Sequence, residues 1–130
     1  MFGYERLPAM AKSRLPSAIW PFKRARVTGN SMAPTYLDGD VLLVQIFNGA
    51  PREIPLRTVV LIEREQQPGI LYIKRIQKSH SGAYWVEGDN RDPEITELMS
   101  DSRVWGYLQA HEIHGKVLLK IWPIKKGKVK

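Results

Sequence analysis

The chain is 130 residues long, with 20 Lys and Arg against 13 Asp and Glu, a formal net charge of +7 at pH 7 and a pI near 9.8. That length supports one domain able to bury roughly two thirds of its unfolded surface. It contains no cysteine, which excludes disulfides and thiolate zinc sites, and no stretch approaches the ~20 apolar residues that span a bilayer.

Residues 1–25 carry prolines at 8, 16 and 21 and read as a flexible basic arm. Its most apolar piece, Ala18-Ile19-Trp20-Pro21-Phe22, is short and interrupted by proline. That fits neither a membrane anchor nor a secretory signal peptide, and no integral anchor is expected. The next 98 residues, 26–123, read as one domain, and residues 124–130 as a basic tail.

Within the domain, strands are predicted near 40–46, 57–64, 69–77, 83–87 and 103–122. Their signals are Val41-Leu42-Leu43-Val44, Thr58-Val59-Val60-Leu61-Ile62, Ala83-Tyr84-Trp85-Val86 and Lys116–Trp122. His80-Ser81-Gly82 suits a hairpin turn, and residues 94–99 a short helical turn on a long connection. The predicted fold is mainly β, a compact and strongly coiled sheet with little helix.

Basic residues cluster at the ends: Lys12, Arg14, Lys23, Arg24 and Arg26 early, then Lys125, Lys126, Lys128 and Lys130. Such clusters suit nucleic acid, an anionic membrane face or an acidic partner, but more commonly they are solubilising tails. Nucleic acid is not the expected partner, because no helix-turn-helix fits ahead of Ser31. His111 and His114 lie three apart in a stretch read as strand, so they point to opposite faces. No metal or other cofactor is expected.

The densest chemical signal is Gly29-Asn30-Ser31-Met32-Ala33-Pro34-Thr35, followed by Asp38-Gly39-Asp40. A serine in a glycine-started turn, with a proline close behind, sits on a rigid corner where a nucleophile has access and direction. In Gly69–Ile76, alternation places Ile70, Tyr72, Lys74 and Ile76 on one strand face and Leu71, Ile73 and Arg75 on the other. Lys74 is thereby a lone amine among apolar neighbours, whose desolvation lowers its pKa. A neutral lysine can deprotonate a serine, and Ser-Lys pairs are a known variant of the Ser-His-Asp arrangement. The competing reading is a half-exposed lysine with its head in water.

Three blocks resemble the Ser-Lys proteases that include type I signal peptidases and self-cleaving repressors. Residues 29–35 match the nucleophile motif, and Tyr72-Ile73-Lys74-Arg75-Ile76 resembles the general-base strand. Glu87-Gly88-Asp89-Asn90-Arg91-Asp92, with Asp101-Ser102-Arg103-Val104-Trp105-Gly106, is similar to a block of signal peptidases in particular. The matches run in the family's order from about Val27 to Gly106.

The resemblance implies Ser31 as nucleophile and Lys74 as general base. It implies an oxyanion and substrate pocket at Gly29, Asn30 and Met32, with the Ser31 N–H as one donor. A second donor would be another backbone group or the Thr28 hydroxyl. Arg75, Asp89, Asp101 and Arg103 would support the site from beneath, Arg75 pairing with Asp89. Signal peptidases keep a serine two residues before the Asp-Ser-Arg triplet to orient the lysine. Here that place holds Met99, and Ser100 sits one position off, so either Ser100 takes the role or another group does.

The resemblance implies a serine endopeptidase that removes an N-terminal leader from a precursor protein after small side chains. Small members of this family without an anchor include the maturation proteases of nickel superoxide dismutase. The chain resembles these, which implies a cytoplasmic setting with, at most, peripheral contact with a membrane. Two alternatives stay open: a signal peptidase docked on the membrane by its basic arm, and a non-catalytic binding module on the same fold. Ala9-Met10-Ala11 has the small-residue pattern of a cleavage site, which would allow self-trimming after Ala11.

Overall fold

The computed structural model describes residues 21–51, 53–96 and 100–124. Residues 1–20 and 125–130, most of the arm and tail, lie outside the described residues, as do Ala9-Met10-Ala11 and Met99. The described strands are β1 (Phe22–Arg26), β2 (Val41–Ile46), β3 (Val59–Glu63), β4 (Leu71–His80), β5 (Ala83–Glu87) and β6 (Ile113–Trp122). They form one antiparallel sheet in the order β1-β2-β6-β3-β4-β5. The mainly β architecture is as the sequence indicates.

Side-chain pattern explains which strands lie deepest. In β2, Leu42 and Val44 are buried while Val41, Leu43 and Gln45 are only half-buried, the alternation of a strand with one covered face. In β3, Val59 to Ile62 are all buried. A run of β-branched and aliphatic residues tolerates cover on both faces, and β3 is such a run. The β4–β5 hairpin closes through Ser81 and Gly82, both at positive φ (51° and 82°). That is the primed turn whose twist matches the flanking strands.

β6 joins the two halves of the sheet. It pairs with β2 over Gly115–Trp122 and with β3 over Ile113–Lys116, with irregular register on both sides. Such bulges sharpen local twist and let a sheet coil. Gly115 sits where the strands come closest: a Cβ there would lie 2.5 Å from the Gln45 carbonyl oxygen. No larger residue fits without moving backbone.

The structure changes two expectations. No strand is predicted before the serine turn, yet β1 occupies Phe22–Arg26, across the boundary drawn at residue 26. Its alternating Lys23, Arg24 and Arg26 disguise it, and only Ala25 faces the core. Charge of that kind is ordinary on an edge strand. The single strand predicted over 103–122 instead divides into three elements: helix α2 (Ser102–Trp105), a 3₁₀ turn (Ala110–Glu112) and β6. Asp101 caps the N-terminus of α2, and Gly106 at φ 78° ends it. Of the helical turn predicted over 94–99, residues 94–96 lie in α1 (Pro93–Thr96), and residues 97–99 lie outside the described residues. Among the described residues no helix is long and apolar enough to cross a membrane.

Candidate active site

The serine turn hangs between β1 and β2 from a stapled base. Val27 N–H donates to the Asp40 carbonyl and Gly39 N–H to the Val27 carbonyl, each at 2.8 Å. Inside the loop, Gly29 at φ 86° donates its N–H to Asp38 Oδ1 (2.8 Å), and Ala33 N–H donates to the Asn30 carbonyl (3.1 Å). The Asp40 carboxylate accepts from Leu37 N–H at 2.8 Å. The acidic turn after the serine is therefore structural, since its carboxylates satisfy the loop's own amides.

Three bonds strap this loop to the segment after β5. Asn90 N–H donates to the Ser31 carbonyl (3.0 Å), and Asn90 Nδ2 to the Asn30 carbonyl (2.7 Å). The Thr35 hydroxyl donates to Asp89 Oδ2 (2.7 Å). Asp89 in turn takes both Arg75 Nε (2.9 Å) and Nη2 (2.7 Å), and Arg75 Nη1 reaches the Arg57 carbonyl. The strap thus ends on β4, one residue from Lys74. Burial works against the Asp89 charge, but the bonds from Arg75 and Thr35 outweigh it and hold the carboxyl below its usual pKa.

Ser31 is 2% exposed and Lys74 fully buried, and neither Ser31 Oγ nor Lys74 Nζ has a hydrogen-bond partner. Its strand neighbours Ile73 and Ile76 are fully buried as well. Desolvation lowers the Lys74 pKa to about 8, against the attraction of Asp101 and with a further push from Arg103. At neutral pH roughly a tenth of such an amine is uncharged, against well under a thousandth for a free lysine.

Asp101 is fully buried and saturated. It accepts from Gly88 N–H (3.1 Å), Arg103 N–H (3.0 Å), Arg103 Nε (3.1 Å) and Arg103 Nη2 (2.7 Å). Burial raises its pKa, but these bonds prevail and hold it low. Ser102 Oγ accepts from Val86 N–H at 2.9 Å, pinning α2 to β5.

The structure brings Gly29, Asn30, Ser31 and Met32 together with Asp89 and Arg75, and separately sets Asp101 and Arg103 within electrostatic reach of Lys74. Gly29 cannot lend its N–H to an oxyanion, because Asp38 holds it. The Ser31 N–H, by contrast, has no acceptor among the described residues. Met32 is 1% exposed and packs in the core. Ser100 is half-buried and makes no bond to the Lys74 amine. Thr35 and Asn90, which lie inside the quoted motifs, carry strap bonds to which sequence reasoning assigned no role. His111 and His114 each pair with a carboxylate, Glu65 and Glu63 respectively. Among the described residues no group of three or more His, Asp or Glu could hold a metal ion.

A serine turn strapped to a strand with a buried lysine, on a small coiled sheet, suits a serine-type peptidase. The chain belongs to the Peptidase S24-like family, whose sequence profile it matches over residues 22–118. It is 30% identical to the mitochondrial ATP-independent inner membrane protease subunit 1a of Arabidopsis thaliana, a match that covers 75% of this chain and 68% of that protein. It is 26% identical to the mitochondrial inner membrane protease subunit 1 of Xenopus tropicalis, with the same coverage. Both relatives are signal peptidase-like, and together with the family they support a serine peptidase.

Proposed function

We propose that Ser31 and Lys74 form a catalytic dyad that cuts a precursor protein after small side chains, releasing an N-terminal leader. The observation that carries this reading is the pair of buried, unpartnered groups, Ser31 Oγ and Lys74 Nζ. A buried polar atom left without a bond is costly and calls for a reason. A hydroxyl and an amine that complete their bonding with each other and with a substrate supply one. Catalytic bonds of this kind tighten only in the substrate complex.

In this mechanism neutral Lys74 takes the Ser31 hydroxyl proton as Oγ bonds to the scissile carbonyl carbon. The carbonyl oxygen becomes an oxyanion, stabilised by the Ser31 N–H, a donor worth a few kcal/mol when aimed correctly. Collapse expels the amine of the new N-terminus, which takes the proton from Lys74. Water then gives a proton to Lys74 and attacks the acyl-enzyme, and Lys74 returns that proton to Ser31 Oγ as the acyl bond breaks, releasing the leader and restoring both groups. The substrate lies extended beside the serine turn, along the face of the sheet that carries Lys74.

The substrate we favour is the precursor of nickel superoxide dismutase, on the resemblance of the motifs, and the setting we favour is the cytoplasm. Incubation with that precursor and with a secretory precursor, each followed by intact mass, tests the choice. Cleavage of the first alone is expected, and cleavage of the second alone would move the assignment to secretory processing. Loss of cleavage in both Ser31→Ala and Lys74→Ala is required. Activity that survives Lys74→Ala would overturn the dyad.

A further inference from the structure

Arg64 stands just past the end of β3, on the row of the sheet that carries Lys74. In the β3–β4 ladder Val60 pairs with Lys74 and Ile62 with Tyr72, and alternation continues that row to Arg64. Its guanidinium carbon lies 4.8 Å from the centre of the Trp105 ring. Trp105 itself meets Tyr72 edge-on at 4.9 Å, so indole and phenol form a wall running from Arg64 toward the amine.

Arg64 Nε is buried and has no hydrogen-bond partner. The adjacent carboxylates are committed elsewhere. Glu63 accepts from Gly69 N–H at 2.7 Å and faces His114, while Glu65 pairs with His111. A guanidinium stacked on an indole is fixed in orientation. Its buried Nε is out of a substrate's reach, but the Nη1–Nη2 edge of the half-buried side chain, for which no described residue supplies an acceptor, offers the planar fork that matches a carboxylate.

We propose that Arg64, backed by Trp105, is a specificity subsite for an acidic side chain of the substrate. The inference rests on the Ser-Lys reading of the site. Four positions separate Val60, opposite Lys74, from Arg64, which at ~3.3 Å per residue is roughly 13 Å. An extended peptide lying along the sheet covers that span in about four residues. The acidic residue therefore sits about four residues from the scissile bond. The chain's net charge of +7 also favours approach of acidic segments.

The test is a set of peptides with one small-residue cleavage point, each carrying Asp, Asn or Lys at a single position three to five residues to either side. Wild type is expected to show roughly ten-fold higher kcat/KM for Asp over Asn at one position, the scale of a charge-assisted bond. Arg64→Ala brings the Asp peptide down to the Asn value, and Arg64→Glu reverses the preference toward Lys at that position. The same preference is read without turnover as peptide affinity for the Ser31→Ala protein, followed by tryptophan fluorescence. Equal affinity for Asp and Asn peptides at every position, or a preference that survives Arg64→Ala, overturns the subsite. A preference intact in binding with no cleavage by wild type overturns the Ser-Lys reading alone.

Discussion

Asp89 receives Arg75 from β4 and Thr35 from the serine turn at once, so one carboxylate ties the loop of Ser31 to the strand that carries Lys74. Asp89→Asn keeps the shape but removes the charge from the bidentate pair. The expected result is a fall in kcat of about ten-fold or more with little change in KM, and a stability loss of about 1–3 kcal/mol. Steady-state kinetics and urea unfolding check both. An unchanged kcat would mean that the serine turn holds its place without the strap.

The pH dependence follows from Lys74. Only the neutral amine is a base, so kcat/KM is expected to rise as pH climbs through about 8 and then level off. A flat acid limb would count against a lysine base.

Stability carries the same sign. The folded pKa lies below the ordinary lysine value of 10.5, so between about 8 and 10.5 the unfolded chain binds more protons and stability rises with pH. Below about 8 the whole penalty is present, roughly 3 kcal/mol at 1.36 kcal/mol per unit. Lys74→Met is therefore expected to be inactive yet more stable at pH 7, by up to about that amount. Calorimetry at pH 7 and pH 10 reads it directly, and the gain should shrink at the higher pH.

Asp101 acts on the lysine from a distance, because its charge raises the Lys74 pKa. Asp101→Asn should shift the acid limb of kcat/KM to lower pH. It should also cost about 3–5 kcal/mol, since Arg103 and Gly88 N–H lose a charged, saturated acceptor. A limb that moves upward would mean that loosened packing has admitted water to the amine. The carboxyl's own pKa is lowered in the fold. Its contribution is thus present above the usual carboxylate pKa and fades as acid carries the pH through the depressed value.

At Gly115 the added methyl of Gly115→Ala meets backbone, not a movable side chain. A loss of about 1–3 kcal/mol is expected, the usual cost of overpacking, measured as a drop in the urea midpoint.

The strands with strong apolar signals were legible from sequence: Val41–Val44 and Thr58–Ile62 stand close to where they were expected. The hairpin at Ser81-Gly82 was also readable, because its turn chemistry is local. The period-two pattern of 70–76 singled out Lys74 but could not say which face is covered. In the fold both are, with Leu71 through Lys74 all buried. β1 was missed because an edge strand rich in Arg and Lys carries no apolar alternation. The bond from Thr35 to Asp89 spans 54 positions, and no local pattern encodes such a contact. Arg64 was invisible for a related reason: its significance is that its neighbours ignore it, which only three dimensions reveal.

β6 occupies the middle of the sheet, with the Ser31 half on one side and the Lys74 half on the other. The two halves therefore meet through Ile113–Trp122 as well as through the bonds from Asn90 and Asp89 to the serine turn. A change that loosens Ile113–Trp122 from either neighbour should therefore be felt at Ser31 and at Lys74 alike, though neither residue lies on that strand.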